Sequence, residues 1–161
     1  MRSKLFVPGS RPELFAKAMA SAADGLSFDL EDAVDEAMKD EARRALAGFL
    51  RALEPGHGKT IIVRVNGLAT QHFAADIEAV VGTGIDLVNL PKPESADDVR
   101  ECADAIAKVE RDAGVEPIGI LANIESPKAF RLAAEIATAS PRVKGLQAGW
   151  GDLLEPLDID R

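Results

Sequence analysis

The sequence predicts an α/β fold built on a parallel sheet, and three observations predict it. Short β-branched or apolar runs recur from end to end. The segments between them carry apolar residues at three- and four-residue spacing, the period of a helix with one buried face. Proline, glycine and capping residues punctuate the joins. Strands that alternate with helices in this way pair in parallel, with the helices packed on the sheet. Two closures satisfy the pattern, an open doubly wound sheet and a barrel. A complete (β/α)8 barrel takes about 250 residues, so the six strand candidates in these 161 residues would form roughly three quarters of one.

The elements follow in order. Ser3–Val7 is the first strand, and Leu14, Phe15, Ala18, Met19 and Ala22 then share one helical face. Ser10-Arg11-Pro12-Glu13 ahead of that face fits a capping box, with hydroxyl and carboxylate available for free backbone N–H groups. Leu26–Leu30 is the second strand. Met38, Ala42, Ala45, Leu46, Phe49, Leu50 and Leu53 line the next helix, which Pro55-Gly56 stops. Thr60–Val65 is followed by a helix carrying Phe73, Ile77, Val80 and Val81. Asp86–Leu90 is followed by one carrying Val99, Cys102, Ile106 and Val109, stopped by Gly114. Ile118–Ile124 leads to Ser126-Pro127, an N-cap with proline at the first helical position, where its missing donor costs nothing. Gly145–Ala148 is the sixth strand. Glycine and proline are spread through the joins, with no linker and no low-complexity segment.

Composition limits what the chain can do. Nineteen Lys+Arg against 27 Asp+Glu give a formal charge of −8, which disfavours nonspecific binding to nucleic acid or to an anionic membrane surface. An apolar fraction of 47% excludes disorder as the general state. No apolar run approaches the roughly 20 residues of a membrane helix. Met1-Arg2-Ser3-Lys4-Leu5-Phe6 starts like a signal peptide but meets Pro8-Gly9 at once, without an apolar h-region. The single Cys102 excludes an internal disulfide framework and a cysteine-rich zinc site. The expectation is a soluble, cytoplasmic domain.

In a parallel sheet of either closure the working face lies beyond the carboxyl ends of the strands. The residues there are Asp29-Leu30-Glu31-Asp32, Arg64-Val65-Asn66-Gly67, Asn89-Leu90-Pro91-Lys92, Asn123-Ile124-Glu125 and Gly149-Trp150-Gly151-Asp152. Glu125 and Asp152 end adjacent strands. Their carboxylates either converge on a cation, in the sparse two-carboxylate arrangement that suits Mg2+, or cap the helices that follow. Glu31 and Asp32 have the same two readings, with a role in holding metal-bound waters also open. Arg64 stands inside an apolar strand, where an unpaired charge is costly. It either meets a carboxylate or enolate oxygen of a substrate or pairs with Glu31 or Asp32, and both can hold at once. Glycines around Trp150 would let backbone N–H groups approach an anion, or simply make a tight turn. Gly56-His57-Gly58-Lys59-Thr60 is not a P-loop, since its spacing is short and a strand follows it. His57 and His72 read as surface or loop residues, and Cys102 as packing.

Six segments taken in order carry a family resemblance: Arg2-Ser3-Lys4-Leu5-Phe6-Val7-Pro8-Gly9, Asp29-Leu30-Glu31-Asp32-Ala33-Val34, Val63-Arg64-Val65-Asn66, Leu90-Pro91-Lys92, Ile124-Glu125-Ser126 and Gly145-Leu146-Gln147-Ala148-Gly149-Trp150-Gly151-Asp152-Leu153. Together they resemble the citrate lyase β-subunit-like proteins of the HpcH/HpaI aldolase family, which also holds malyl-CoA lyases. The resemblance implies a Mg2+-dependent TIM (β/α)8 barrel, here one domain over residues 1–161 with about six of eight strands. The C-terminal strands and the segment that covers the site would be absent. It implies Glu125 and Asp152 as metal ligands and Arg64 as the group binding the reacting oxo or thioester oxygen. Backbone amides of Gly149-Trp150-Gly151-Asp152 would bind an oxo-acid carboxylate, Glu31 and Asp32 would support the catalytic rim, and Arg11 would lie on the CoA side. The implied reaction is carbon–carbon cleavage of a 3-hydroxyacyl-CoA thioester (citryl-, malyl- or citramalyl-CoA) to an acyl-CoA and an oxo acid. Two other readings stand beside it: a non-catalytic or partial subunit that acts only in an assembly, and a class II aldolase acting on free oxo acids. A homo-oligomer, with other lyase subunits as further partners, is the expected assembly.

Overall fold

The computed structural model describes residues 1–159. Six strands form one sheet: β1 (Lys4–Pro8), β2 (Gly25–Asp29), β3 (Thr60–Arg64), β4 (Leu87–Leu90), β5 (Gly119–Ile124) and β6 (Val143–Ala148). Every adjacent pair is parallel, and the spatial order is the order in sequence. A doubly wound sheet reverses its strand order part-way; this one never does, so the winding is that of a barrel. It runs from β1 to β6 with both outer edges open. The helices between the strands are α1 (Phe15–Met19), α2 (Lys39–Arg51), α3 (Phe73–Val80), α4 (Ala96–Ala113), α5 (Pro127–Arg131) and α6 (Ala133–Thr138), and α7 (Trp150–Leu154) follows β6.

Alternation along each strand sorts the side chains onto two faces. On the convex face Val7, Leu26, Phe28, Ile61, Val63, Val88, Leu90 and Ile120 are buried against Phe15, Leu46, Leu50, Ile77, Val80, Val99, Cys102 and Ile106 of the helices. Phe15 meets Phe28 edge-on with ring centroids 5.1 Å apart, and Phe49 closes the trio. The convex face is uncovered only at the margins, where Leu5 and Leu146 are exposed. The concave face carries the polar residues Lys4, Ser27, Asp29, Arg64, Asn89, Asn123 and Gln147, interspersed with Phe6, Ile62 and Leu121. A hydrogen bond from Lys4 Nζ to Gln147 Oε1 joins the first strand to the last, so the sheet is strongly curled. No helix among the described residues is long and apolar enough to cross a membrane.

Local chemistry fixes the helix ends. The Ser126 hydroxyl accepts from Ala129 N–H at 3.1 Å, the expected cap with Pro127 beside it. Gly114 ends α4 in the left-handed region, at φ 66°. A full capping box does occur, but at Ser95 and Asp98 at the head of α4. The expected box at Ser10 and Glu13 does not form. The Ser10 hydroxyl turns to Ala33 O, Glu13 pairs with Arg11, and the helix starts as a short 3-10 turn at Pro12.

Candidate functional site

The strand register builds the site. Asp29, Arg64 and Asn89 stand in one row across β2, β3 and β4, at the carboxyl ends of the strands. Arg64 donates from Nε to Asp29 Oδ1 at 2.8 Å and from Nη2 to Asp29 Oδ2 at 2.5 Å, a two-point fork. Asp29 also accepts the backbone N–H groups of Glu31 (2.9 Å) and Ala33 (3.1 Å), which shapes the loop after β2. Arg64 Nη1 lies 2.9 Å from Glu31 Oε2 and 3.5 Å from Asp32 Oδ2. The approach to Glu31 is off the hydrogen-bond direction, so that buried oxygen is paired by charge alone. Burial opposes the Arg64 charge, but Asp29, Glu31 and Asp32 outweigh it and raise its pKa above the ordinary value. The expected ion pair of Arg64 with Glu31 or Asp32 is therefore present, and the principal partner is Asp29, which the sequence did not single out.

Lys92 completes this cluster. Its ammonium lies 3.0 Å from Glu31 and 3.6 Å from Asp32, and its backbone adopts φ 50°, a left-handed conformation that costs a lysine about 1–2 kcal/mol. That turn delivers Lys92 N–H to Glu125 Oε2 at 3.1 Å. Burial raises the Glu31 pKa even with Lys92 and Arg64 beside it.

Glu125 is buried at the end of β5, and Asn123 Nδ2 donates to its Oε1 at 3.1 Å. Burial raises its pKa, the Lys92 N–H opposes the shift, and the Asp152 charge adds to it. Asp152 lies in the first turn of α7 and accepts no hydrogen bond from a described residue. Gly149 separates the two acids, and a β-carbon there would overlap Glu125 Cγ and Oε1. Its φ of −93° would accommodate any residue, so closeness to Glu125 is what requires glycine. The donor set fits a divalent cation: two carboxylates, one braced by only neutral N–H donors, with open positions for water and ligand oxygens. No group of three or more His, Cys, Asp or Glu side chains forms a ready cage among the described residues.

The chain matches the HpcH/HpaI aldolase/citrate lyase family over residues 2–161. It belongs to that family. Citrate lyase subunit beta of Escherichia coli (strain K12) is 42% identical over 164 residues, which cover 99% of this chain and 53% of that protein. A (3S)-malyl-CoA thioesterase of Cereibacter sphaeroides is 38% identical over 156 residues, 97% of this chain and 51% of its own length. The structure of a citrate lyase beta subunit from M. tuberculosis, complexed with oxaloacetate and magnesium, superposes with a TM-score of 0.77 at 39% identity, covering 98% of this chain and 62% of that one. The chain thus spans about half the length of the curated relatives it matches.

Within this aldolase-family frame, not every expected residue joins the cluster. Arg11 is exposed and pairs with Glu13. Gly149 cannot offer its amide to an anion, because that N–H donates to Ile124 O at 3.0 Å in the sheet ladder. The amides of Trp150, Gly151 and Asp152 open α7, where N–H groups have no partner within the helix. Trp150 itself is 57% exposed. His72 lies in the turn before α3, as the loop reading expects, with its side chain largely buried. It bridges Arg43 (3.3 Å) and Glu36 (2.8 Å) beside a buried set in which Asp76 binds Arg43 at 2.7 Å and the Asn66 backbone N–H at 2.8 Å. Asn66 and Lys39 in turn hold the Leu30 carbonyl, and Lys39 also the Glu31 carbonyl, so this network fixes the loop that carries Glu31 and Asp32.

Proposed function

We propose that the chain carries the metal and oxo-acid site of a Mg2+-dependent carbon–carbon lyase. Its substrate class is a 3-hydroxyacyl-CoA thioester of citryl, malyl or citramalyl type, cleaved to an acyl-CoA and an oxo acid. The observation that carries this reading is the pairing of two weakly braced carboxylates, Glu125 and Asp152, beside a guanidinium preset by Asp29. The magnesium and oxaloacetate named with the mycobacterial structure, and the malyl-CoA named with the Cereibacter relative, support the ligand classes.

In this reading Glu125 and Asp152 hold the cation, which when bound polarises the oxo-acid carbonyl. Cleavage removes the 3-hydroxyl proton and breaks the bond between C2 and C3. The electron pair passes to the thioester as an enolate, and protonation at carbon gives the acyl-CoA. Arg64 faces the enolate oxygen with its orientation already fixed by Asp29, and a preorganised donor of this kind is commonly worth about 3–4 kcal/mol. Glu31, Asp32 and Lys92 set the charge around it, and Glu31 and Asp32 accept from waters on the metal. The amides of Trp150 and Gly151 bind the oxo-acid carboxylate. Arg11, on the loop after β1, lies on the CoA side.

Residues 1–161 act as one barrel-type domain, and the open edges at β1 and β6, with Leu5 and Leu146 exposed there, favour pairing with further polypeptide, either additional strands or other subunits. Acidic composition and a lone cysteine favour action in the cytoplasm.

Calorimetric titration with oxalate, with and without Mg2+, tests the site directly. Mg2+-dependent binding that Asp152→Asn abolishes is the expected result. Folded protein that binds oxalate equally well without Mg2+, or in the Asp152→Asn variant, overturns the metal assignment.

A further inference from the structure

Three cations face the concave side near the site, and their pairing differs. Arg64 is forked onto Asp29, and Lys92 lies against Glu31 and Asp32. Lys4 has no carboxylate within ion-pair distance among the described residues. Its ammonium donates to the neutral Gln147 oxygen and lies 4.3 Å from the centroid of the Phe6 ring. The Arg64 guanidinium lies over the same ring at 5.7 Å, so both cations flank one aromatic surface. A half-buried ammonium has given up much of its water, and here it receives only an amide dipole and a ring quadrupole in return. Burial and the nearby Arg64 charge bring its pKa down to about 8, against weaker support from Glu125 and Asp29. It therefore keeps its proton at neutral pH, with no anion beside it.

We propose that the Lys4 ammonium is the counter-charge for a second carboxylate on the oxo acid, making the site selective for dicarboxylic over monocarboxylic oxo acids. The inference rests on the metal and oxo-acid reading above, in which the first carboxylate binds beside the cation. Gln147, which anchors Lys4, precedes the Gly149–Asp152 turn by two residues and pairs in register with Asn123, two residues before Glu125. The Lys4 head thus stands in the layer directly beneath the two carboxylates. Phe6, whose ring the ammonium faces, is itself 46% exposed. The Asn89 side chain, on the same concave face and in register with Arg64, is fully buried with neither its Nδ2 donor nor its Oδ1 acceptor partnered. A buried donor of that kind is a second group suited to a carboxylate oxygen.

Calorimetry with pyruvate and with oxaloacetate at saturating Mg2+, on wild type, Lys4→Met, Lys4→Gln and Lys4→Arg, tests this. Wild type should bind oxaloacetate about tenfold more tightly than pyruvate. Lys4→Met and Lys4→Gln should lose that preference while their pyruvate affinity stays within about twofold, and Lys4→Arg should retain it. Unchanged pyruvate binding also certifies the fold of each variant. Equal weakening of both acids in both neutral variants makes Lys4 a structural group and overturns the proposal, as does a wild type without preference. A wild type that binds neither acid with Mg2+ defeats the metal-site reading itself, and the Lys4 proposal falls with it.

Discussion

Asp29→Asn is expected to destabilise the protein substantially, because Asp29 is what allows Arg64 to sit inside the sheet. Asp29 accepts four donors: Arg64 Nε at 2.8 Å, Arg64 Nη2 at 2.5 Å, and the N–H groups of Glu31 at 2.9 Å and Ala33 at 3.1 Å. Asparagine keeps the shape but turns one acceptor into an NH2 group, which then faces donors, and it removes the charge opposing the guanidinium. Breaking a buried pair by removing one partner costs about 3–5 kcal/mol. Glu31 at 2.9 Å and Asp32 at 3.5 Å from Nη1 still compensate part of the charge, so the loss should fall at the lower end, about 3 kcal/mol. Urea unfolding followed by circular dichroism reads this as a lower midpoint at unchanged slope. Combined with Arg64→Met, the double variant should be less unstable than the sum of the singles, with a coupling of about 2 kcal/mol. A loss under about 1 kcal/mol, the level of an exposed pair, or strict additivity would refute the account of a guanidinium preset by Asp29.

Three further outcomes follow from the geometry. Gly149→Ala should displace the Glu125 carboxylate and weaken Mg2+ binding about tenfold or more while the protein stays folded, and calorimetry showing unchanged affinity would remove the steric argument. Glu125 binds its proton at a higher pH than an ordinary carboxylate, because of burial and then the Asp152 charge. That proton competes with the cation, so Mg2+ affinity should fall as pH drops through the raised pKa, whereas the metal-free fold gains stability on the same descent because it holds the proton more tightly than the unfolded chain. An Mg2+ affinity that stays constant as the pH is lowered into the ordinary carboxylate range would contradict this. For Lys4 the sign is reversed: with its pKa lowered to about 8, the folded state releases the proton before the unfolded chain does, so stability should rise with pH above 8. Lys4 is partly exposed, so the gain relative to Lys4→Met is on the order of 1 kcal/mol, and a flat difference across that range in urea titrations would count against it.

The sheet was legible because β-branched runs and helical spacing are local signals, and all six strands lie where those signals fall. The ends moved by a residue or two: β2 begins at Gly25, and β6 extends back to Val143. The rim residues were legible because parallel strands bring all their carboxyl ends to one side. Register was not. Asp29 is slightly farther in sequence from Arg64 than Glu31 or Asp32 is, and only the pairing of β2 with β3 sets it directly opposite Arg64. The use of Gly149 N–H in the ladder to Ile124 depends on pairing in the same way. Lys4 was hidden by reach, since a long aliphatic stem carries its charge well away from its own position at the start of β1. At Ser10-Arg11-Pro12-Glu13 the local pattern was right for a cap and the tertiary contact with Ala33 won.

The charges around the site are not evenly balanced, and the imbalance has a direction. Asp29, Glu31 and Asp32 lie against Arg64 and Lys92 in a closed set of short contacts, three acids to two bases. The carboxylates left over are Glu125 and Asp152, whose bracing is neutral or absent among the described residues, and the cation left over is Lys4. Excess negative charge at one end and an unmatched ammonium beneath it form a dipolar cleft. A metal chelate with a trailing carboxylate is the complementary ligand, positive at the cation and negative at the tail. The two ends should therefore fail separately. Glu125→Gln should abolish binding of pyruvate and oxaloacetate alike, whereas Lys4→Met should leave a site that still binds its cation and the first carboxylate but no longer distinguishes the two acids.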